Sequence, residues 1–281
     1  MHDNQINLEH FRITEPTTLS FSGGRTSAYM LYLALLANDG LPDNAKVIFA
    51  NTGKEEEETL KFVKRCADEW GVDITWLEYR PDGFEVVDFE TASRNGEPFE
   101  ALIRKVNYLP NPVTRKCTFD LKVRVMSKWL KSIGWDYWDA FIGIRADEPR
   151  RVAKIRANPH SDTSRATSLL PLADAGISVK HVSAFWEKNS FDLMLPTING
   201  KAMHGNCDLC FLKGGNQIAS LIQEKPSRAI WWAKMEALAL ASKPRGARFR
   251  SDRPSYQQMI DYAADQMPLF HDESIECYCG E

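Results

Sequence analysis

The chain has 281 residues, of which 43% are hydrophobic and 26% are charged, and its formal net charge is -3. These values are typical of a globular protein large enough to bury a core, and the negative balance argues against a protein that coats nucleic acid over its whole surface. No apolar run approaches the roughly 20 residues of a membrane span, and the polar start Met1-His2-Asp3-Asn4 is no signal peptide, so we expect a cytoplasmic protein with no membrane partner.

The first predicted strand, Thr18 to Phe21, leads into an apolar helix through Ser22-Gly23-Gly24-Arg25-Thr26-Ser27. Two glycines permit a tight turn, the hydroxyl groups are donors, Arg25 adds a charged fork, and free N–H groups at a helix start favour an anion. The spacing fits neither the Walker A motif nor the dinucleotide fingerprint. The pattern predicts a phosphate-binding loop, and an ordinary turn with Ser and Thr caps is the alternative.

A second buried strand, Lys46 to Ala50, is followed by Asn51-Thr52-Gly53 and then by the acidic run Glu55 to Glu58. Because the carboxyl ends of parallel strands line one crevice, we expect residues 51–53 to flank the same ligand. The acidic run is predicted to form a solvated first helical turn rather than a metal site.

The segments SFSGGRTSAYML and VIFANTGKEEEETLKFV resemble the phosphoadenylylsulfate (PAPS) reductase family, within the adenine-nucleotide alpha-hydrolase-like superfamily. Arg115-Lys116-Cys117-Thr118 with Lys122 resembles the family's Arg-x-Cys-Thr block with its trailing lysine. Phe141 to Glu148 resembles its Gly-x-Arg-x-x-Glu strand end. The resemblance covers roughly residues 17 to 215.

The resemblance implies that the chain binds an adenine nucleotide: adenylylsulfate, its 3'-phosphorylated form PAPS, or ATP. It places Arg115 and Lys122 at that site, and Arg145, which follows a buried strand, is predicted to face the crevice and bind phosphate or sulfate. Thr26 and Asn51 stand where the superfamily usually has aspartates. Since carboxylates near phosphates commonly hold magnesium, these departures favour nucleotide binding over magnesium-dependent adenylation, with magnesium kept as a candidate ion.

Six cysteines in a cytoplasmic chain are not expected to form disulfides. Cys66 lies in a helical apolar pattern and is predicted to be a core residue. Cys207-Asp208-Leu209-Cys210 is a hook of the kind that chelates soft metals, and the positive charges next to Cys117 favour its thiolate. Cys277 and Cys279 close the chain.

Three interpretations of these cysteines stay open. The first is a 4Fe-4S iron–sulfur cluster held by Cys117, Cys207, Cys210 and the tail residue Cys279. The second is a structural zinc site, and the third is a redox dithiol or simply reduced cysteines. The resemblance favours iron, because adenylylsulfate reductases of the family use a middle cysteine block and a downstream Cys-x-x-Cys around such a cluster. Their middle block has a Cys-Cys pair and this chain has Cys117 alone, so the fourth ligand comes from the tail or one iron stays open.

The tail also resembles, in part, the family's catalytic Glu-Cys-Gly-x-His segment. Glu276-Cys277-Tyr278-Cys279-Gly280-Glu281 keeps the Glu-Cys start, but its glycine is displaced and no histidine follows. The resemblance implies that one tail cysteine, Cys277 or Cys279, is a nucleophile or persulfide carrier. A basic loop, Lys243 to Arg253, has the composition of a nucleic-acid contact, with a plain exposed linker as the alternative.

The predicted fold is α/β: a doubly wound parallel sheet of about five strands with helices on both faces. Residues 1–200 are expected to form the nucleotide-binding domain, and residues 201–281 a mainly helical extension that brings the hook and the tail over the crevice. Ile74 to Tyr79 is a predicted strand, 80–112 a long excursion, and 117–133 a helix.

Three functions compete. The first is thiol-dependent reduction of an adenylylsulfate to sulfite, with a partner reductant such as thioredoxin. The second is ATP-dependent sulfur transfer from a sulfur donor to tRNA or DNA. The third is a non-catalytic, nucleotide-responsive iron–sulfur binding module.

Overall fold

The computed structural model describes residues 6–160, 165–198, 201–205, 207–242 and 247–265. One six-stranded sheet organises the chain, in the strand order β4-β3-β2-β1-β5-β6. Its strands are Thr17–Phe21 (β1), Ala45–Asn51 (β2), Ile74–Arg80 (β3), Gly83–Val87 (β4), Trp138–Ile142 (β5) and Ala166–Leu169 (β6).

Helices connect the strands and form most of the C-terminal part. They are Arg25–Ala37 (α1), Glu57–Trp70 (α2), Glu97–Val106 (α3), Lys116–Thr118 (α4), Arg124–Ser132 (α5), Pro149–Ala157 (α6), Pro171–Asp174 (α7), Val179–Lys188 (α8), Gly215–Glu224 (α9), Arg228–Ser242 (α10) and Tyr256–Asp265 (α11). A 3-10 helix spans Leu8–Phe11, a π-helical turn, Phe119–Val123, joins α4 to α5, and a small hairpin pairs Thr197–Ile198 (β7) with Lys201–Ala202 (β8). No helix in the described ranges is both long and apolar enough to cross a membrane.

The α/β prediction is confirmed, and the sheet has one strand more than expected. The pairs β1–β2, β2–β3, β1–β5 and β5–β6 are parallel, whereas β4 is antiparallel to β3. β4 comes from the segment predicted as an excursion, because Pro81 and Asp82 turn the chain straight back along β3 as a hairpin. From β1 the chain adds β2 and β3 on one side of the sheet, and it then adds β5 and β6 on the other side of β1. The switch point, where ligands bind in such sheets, therefore lies between β1 and β5.

The two largest hydrophobic clusters of the described residues lie on opposite faces of the sheet. One packs α1, α2 and α8 around Met30, Phe49 and Trp186. The other packs α3, α5, α9, α10 and α11 around Leu77 and Trp232. The helices after residue 207 thus share a core with the sheet, which brings the Cys-x-x-Cys segment to its carboxyl edge.

Candidate functional site

A cleft of about 390 Å³ opens at the carboxyl ends of β1 and β5. The whole Ser22–Ser27 loop lines it, together with Gly143 and Arg145 from the end of β5 and Ser183 from α8. The cleft therefore lies at the switch point of the sheet, where a ligand of this architecture is expected.

The Ser22–Ser27 loop is closed by its own hydroxyl groups. The N–H of Ser22 donates to Ser27 Oγ at 3.1 Å, and Ser27 Oγ donates to the carbonyl of Gly24 at 2.9 Å. Gly24 precedes α1 without a side-chain cap, so no capping side chain occupies the N–H groups of the first helical turn. Those groups and the positive end of the helix dipole form an anion cradle.

Arg145 reaches the loop from the end of β5. Its Nη1 donates to Thr26 Oγ1 at 3.3 Å and its Nε donates to Asp147 Oδ1 at 2.8 Å. Its own N–H donates to Glu148 Oε2 at 3.1 Å. These contacts fix a guanidinium beside the anion cradle, and Arg151 lines the same cleft.

A second cavity, of about 270 Å³, adjoins the cleft. Cys117, Cys207 and Cys210 all line it, together with Lys122 and Lys213. Thr52 Oγ1 lies 3.4 Å from Cys207 Sγ. Ala202 and Gly205 line both cavities, so these two residues form a shared wall between the cleft and the three thiols.

Burial dominates the electrostatics of these thiols. It raises the pKa of Cys117 to about 11 and also raises the pKa of Cys207 and Cys210, with Glu55 adding to the effect at Cys207. Burial lowers the pKa of Lys213. At Lys122 burial acts in the same direction, but Glu55 and the cysteines outweigh it and the pKa is raised.

The predicted thiolate at Cys117 is therefore corrected. Arg115 is exposed, and the Nζ of Lys116 pairs with Asp120 Oδ2 at 2.8 Å, so the neighbouring cations do not offset desolvation. The thiols stay protonated near neutral pH, and a soft metal bound there would displace their protons.

Glu55 does not belong to a solvated helical turn, which corrects this part of the prediction for the acidic run, whereas Glu57 and Glu58 do lie in the first turn of α2. Its side chain is only 3% exposed and lies 4.0 Å from Lys122 Nζ. The carboxylate accepts from the N–H of Thr52 at 3.0 Å and from the N–H of Lys54 at 3.2 Å. The Thr-x-x-Glu spacing of a capping box was the signal that could have identified this turn.

Sequence reasoning also missed the ion pair that fixes the Cys-x-x-Cys segment. Lys54 Nζ lies 3.0 Å from Asp208 Oδ2, and both side chains are almost buried. Asp208 Oδ1 accepts from Trp232 Nε1 at 2.8 Å, and the N–H of Asp208 donates to the carbonyl of Lys54 at 2.7 Å. No local sequence pattern predicts the Lys54–Asp208 pair, because the two residues are far apart in the sequence.

Asn51 and Gly53 lie inside the protein and line neither cavity. Asn51 Nδ2 donates to Glu78 Oε1 at 2.6 Å, and Asn51 Oδ1 accepts from the N–H of Gly53 at 3.0 Å. Gly53 packs against Gly96, whose N–H donates to the Gly53 carbonyl at 2.8 Å. Glu78 is fully buried, and the amide at residue 51 donates to it, which a carboxylate could not do.

We predict that Asn51→Asp lowers the free energy of unfolding by about 3 kcal/mol or more, because it places a second carboxylate against buried Glu78. Urea unfolding measures the loss of free energy. The double variant Asn51→Asp/Glu78→Gln should recover most of the loss, and a single variant as stable as the wild type would contradict the interpretation.

Arg25 and Arg115, two further predicted site residues, do not line the cysteine cavity. The guanidinium of Arg25 binds Asp192 and Thr197, and Arg115, at φ +42°, lines neither cavity. Cys277, Cys279 and the first part of the basic loop lie outside the described residues. In the described part of that loop, Arg250 pairs with Asp252 and Arg253 donates to the Lys213 carbonyl at 3.1 Å.

Within the described ranges, no group of three or more His, Cys, Asp or Glu side chains is arranged to hold one metal ion. A four-iron cluster is larger than a single ion and takes one thiolate at each iron. The absence of a single-ion site in the described ranges therefore does not bear on a cluster held by separate thiolates.

The glycine loop, the mostly parallel sheet and the cleft at its switch point define a nucleotide-binding α/β protein. The family model of the phosphoadenosine phosphosulfate reductase domain matches residues 16–191. The chain belongs to this family, and the prediction made from its motifs is confirmed.

Two relatives match at the sequence level. An uncharacterized nin region protein of Escherichia phage lambda is 30% identical over 212 residues, which are 71% of this chain and 67% of that protein. An uncharacterized protein of Methanocaldococcus jannaschii is 28% identical over 162 residues, 57% of this chain and 29% of that protein.

Two solved structures are similar at lower identity. A phosphoadenylyl-sulfate reductase from Candida auris, in a phosphate complex, has a TM-score of 0.44 at 17% identity and covers 70% of this chain and 88% of its own. The U34-tRNA thiolase NcsA from Methanococcus maripaludis, with its [4Fe-4S] cluster, has a TM-score of 0.41 at 12% identity and covers 91% of this chain and 72% of its own.

Proposed function

We propose that the protein binds an adenylylsulfate in the cleft and reduces its sulfate group to sulfite with thiols. The observation that carries this proposal is the shared wall: Ala202 and Gly205 line both the nucleotide cleft and the three-cysteine cavity. Membership of the family supports the substrate class. If the phosphate of an adenylylsulfate lies on the Ser22–Ser27 loop, its sulfate group would lie close to the cysteine cavity.

The chain's own groups would divide the work. The N–H groups of the loop hold the phosphate and Arg145 stabilises the neighbouring sulfate. A tail thiolate, Cys277 or Cys279, attacks the sulfur; the S–O bond to phosphate breaks and the adenylate leaves with that electron pair. A thiolate of a thioredoxin-type dithiol then attacks the cysteine sulfur of the resulting S-sulfocysteine, and sulfite leaves with the electron pair of the S–S bond. The second thiol of that dithiol reduces the mixed disulfide and restores the tail thiolate.

The donor set of the cysteine cavity fits an iron–sulfur cluster. Cys117, Cys207 and Cys210 would hold it, with Cys279 proposed as the fourth ligand, and Lys122 and Lys213 would offset the charge of the thiolates. A bound cluster would supply redox and electrostatic tuning of the neighbouring cleft.

The test is sulfite release from adenylylsulfate and from PAPS in the presence of thioredoxin. We expect Cys277→Ser or Cys279→Ser to reduce sulfite release by about a thousandfold or more, because a nucleophile is lost, while nucleotide affinity persists. Arg12→Ala, which removes an exposed arginine paired with Glu9, should behave as the wild type. Pyrophosphate release from ATP, stimulated by tRNA or DNA, would instead indicate sulfur transfer, and nucleotide binding without turnover would indicate a binding module.

A further inference from the structure

The guanidinium of Arg25, the first residue of α1, is held by side chains outside the phosphate loop. Its Nε donates to Asp192 Oδ1 at 2.7 Å, and its Nη2 pairs with Oδ2 of the same carboxylate. Its Nη1 donates to Thr197 Oγ1 at 3.2 Å. A carboxylate that faces a guanidinium with both oxygens forms a fork that lysine cannot reproduce. The charged group that the sequence assigned to phosphate is thus engaged within the chain.

Asp192 and Thr197 lie on the segment that leads from α8 to the shared wall. Thr197 begins β7, which pairs with β8, and β8 ends at Ala202 in that wall. Leu193 lines the nucleotide cleft, and its N–H donates to Asp192 Oδ1 at 2.6 Å. The contacts of Arg25 therefore fasten the segment carrying the wall to the first turn of α1.

The backbone of Arg25 is fastened as well. Its carbonyl accepts from Trp186 Nε1 at 3.0 Å, and Trp186 is buried in the core beneath α8. Arg25 lines the cleft with the rest of its loop, but the anion cradle does not require its side chain, because the N–H groups of the loop form the cradle and Arg145 and Arg151 line the same cleft. Arg25 can therefore hold the wall while other groups hold the anion.

We propose that Arg25 is a positioning residue that fixes the wall between the two cavities relative to the phosphate loop, and that it is not a phosphate ligand. The inference rests on the proposed function in one respect: the position of the wall matters for catalysis when nucleotide and thiols act together. Losing the Arg25–Asp192 pair loosens the wall segment, whereas the cradle that binds the nucleotide stays intact.

Hydrogen–deuterium exchange and nucleotide affinity, measured on the same full-length variants, test this separation of roles. In Asp192→Asn and Arg25→Lys, amides of residues 192–198 and 201–205 should exchange about tenfold faster than in the wild type. The Kd for ATP or adenylylsulfate should change by less than about threefold, while kcat for sulfite release falls about tenfold at an unchanged KM. Asp192→Glu keeps a carboxylate for the fork and should stay near the wild type in exchange and kcat.

Two results would overturn the inference. One is an Arg25→Lys variant that binds nucleotide more than about tenfold more weakly with unchanged exchange, since that is the signature of a lost phosphate ligand. The other is unchanged exchange in Asp192→Asn, which decides the matter even if the Arg25 variant does not fold. The exchange comparison needs no nucleotide and therefore tests the positioning role independently of turnover. A wild type that releases no sulfite would count against the proposed function alone.

Discussion

Replacing Cys207 with alanine is expected to remove bound iron from protein purified without oxygen, together with the absorbance near roughly 400 nm of a four-iron cluster. Cys207 lies beside Thr52 and lines the cysteine cavity together with Lys122. Because each thiolate holds one iron, loss of this ligand should lower iron from about four per chain to well under half of that. Iron and acid-labile sulfide assays measure the loss.

Cys66→Ala is the matched control for this experiment. Cys66 is fully buried in the core that packs α1 and α2, and it lines neither cavity. Burial raises the pKa of Cys66 above the range of an ordinary thiol, as expected for an inert core residue. This variant should lose stability and keep its iron. If the wild-type protein is colourless and contains zinc or no metal, the cluster proposal is wrong. The proposed nucleotide binding in the cleft would then stand without it.

Much of the fold could be predicted because its signals are local. A few consecutive residues are enough to recognise the apolar runs of β1, β2 and β3 and the glycine loop after β1. β4 could not be recognised in the same way, since it is a half-exposed edge strand in a segment rich in glycine and charge. β4 is a strand because it pairs with β3, and its own residue composition does not predict that pairing.

Within the candidate site, the sequence indicated residue types better than their partners. It predicted that Arg145 faces the crevice and that Cys117 and the Cys-x-x-Cys hook belong together. It could not predict the Lys54–Asp208 pair or the contact of Asn51 with Glu78, because both join residues that only the folded sheet brings close. The Cys117 thiolate was predicted from charges adjacent in sequence, whereas desolvation in the fold controls its pKa.

Gly23→Ala is expected to have the largest effect on the nucleotide cleft. Gly23 has φ +74°, a conformation that costs an L-residue about 1–2 kcal/mol. A Cβ there would also lie 2.5 Å from Thr59 Cγ2, a branched and buried side chain with little freedom to move. Overlap of this kind adds about 1–3 kcal/mol. The free energy of unfolding of this variant should therefore be about 3 kcal/mol lower than that of the wild type. Because the strain falls on the anion cradle, the variant should also bind ATP or adenylylsulfate at least about tenfold more weakly.

Gly24→Ala tests whether the effect comes from the conformation of Gly23 or from any added methyl group in the loop. Gly24 has φ -111°, and a Cβ there would meet Ser22 Oγ at an ordinary 3.6 Å. Its stability should stay within about 0.5 kcal/mol of the wild type. In Gly23→Ala/Thr59→Ser the overlap is relieved while the positive φ remains, so the double variant should recover part of the loss, measured by urea unfolding and calorimetric nucleotide titration. Equal destabilisation of the two alanine variants would mean that the loop tolerates neither methyl group and that the backbone conformation of Gly23 is not the cause.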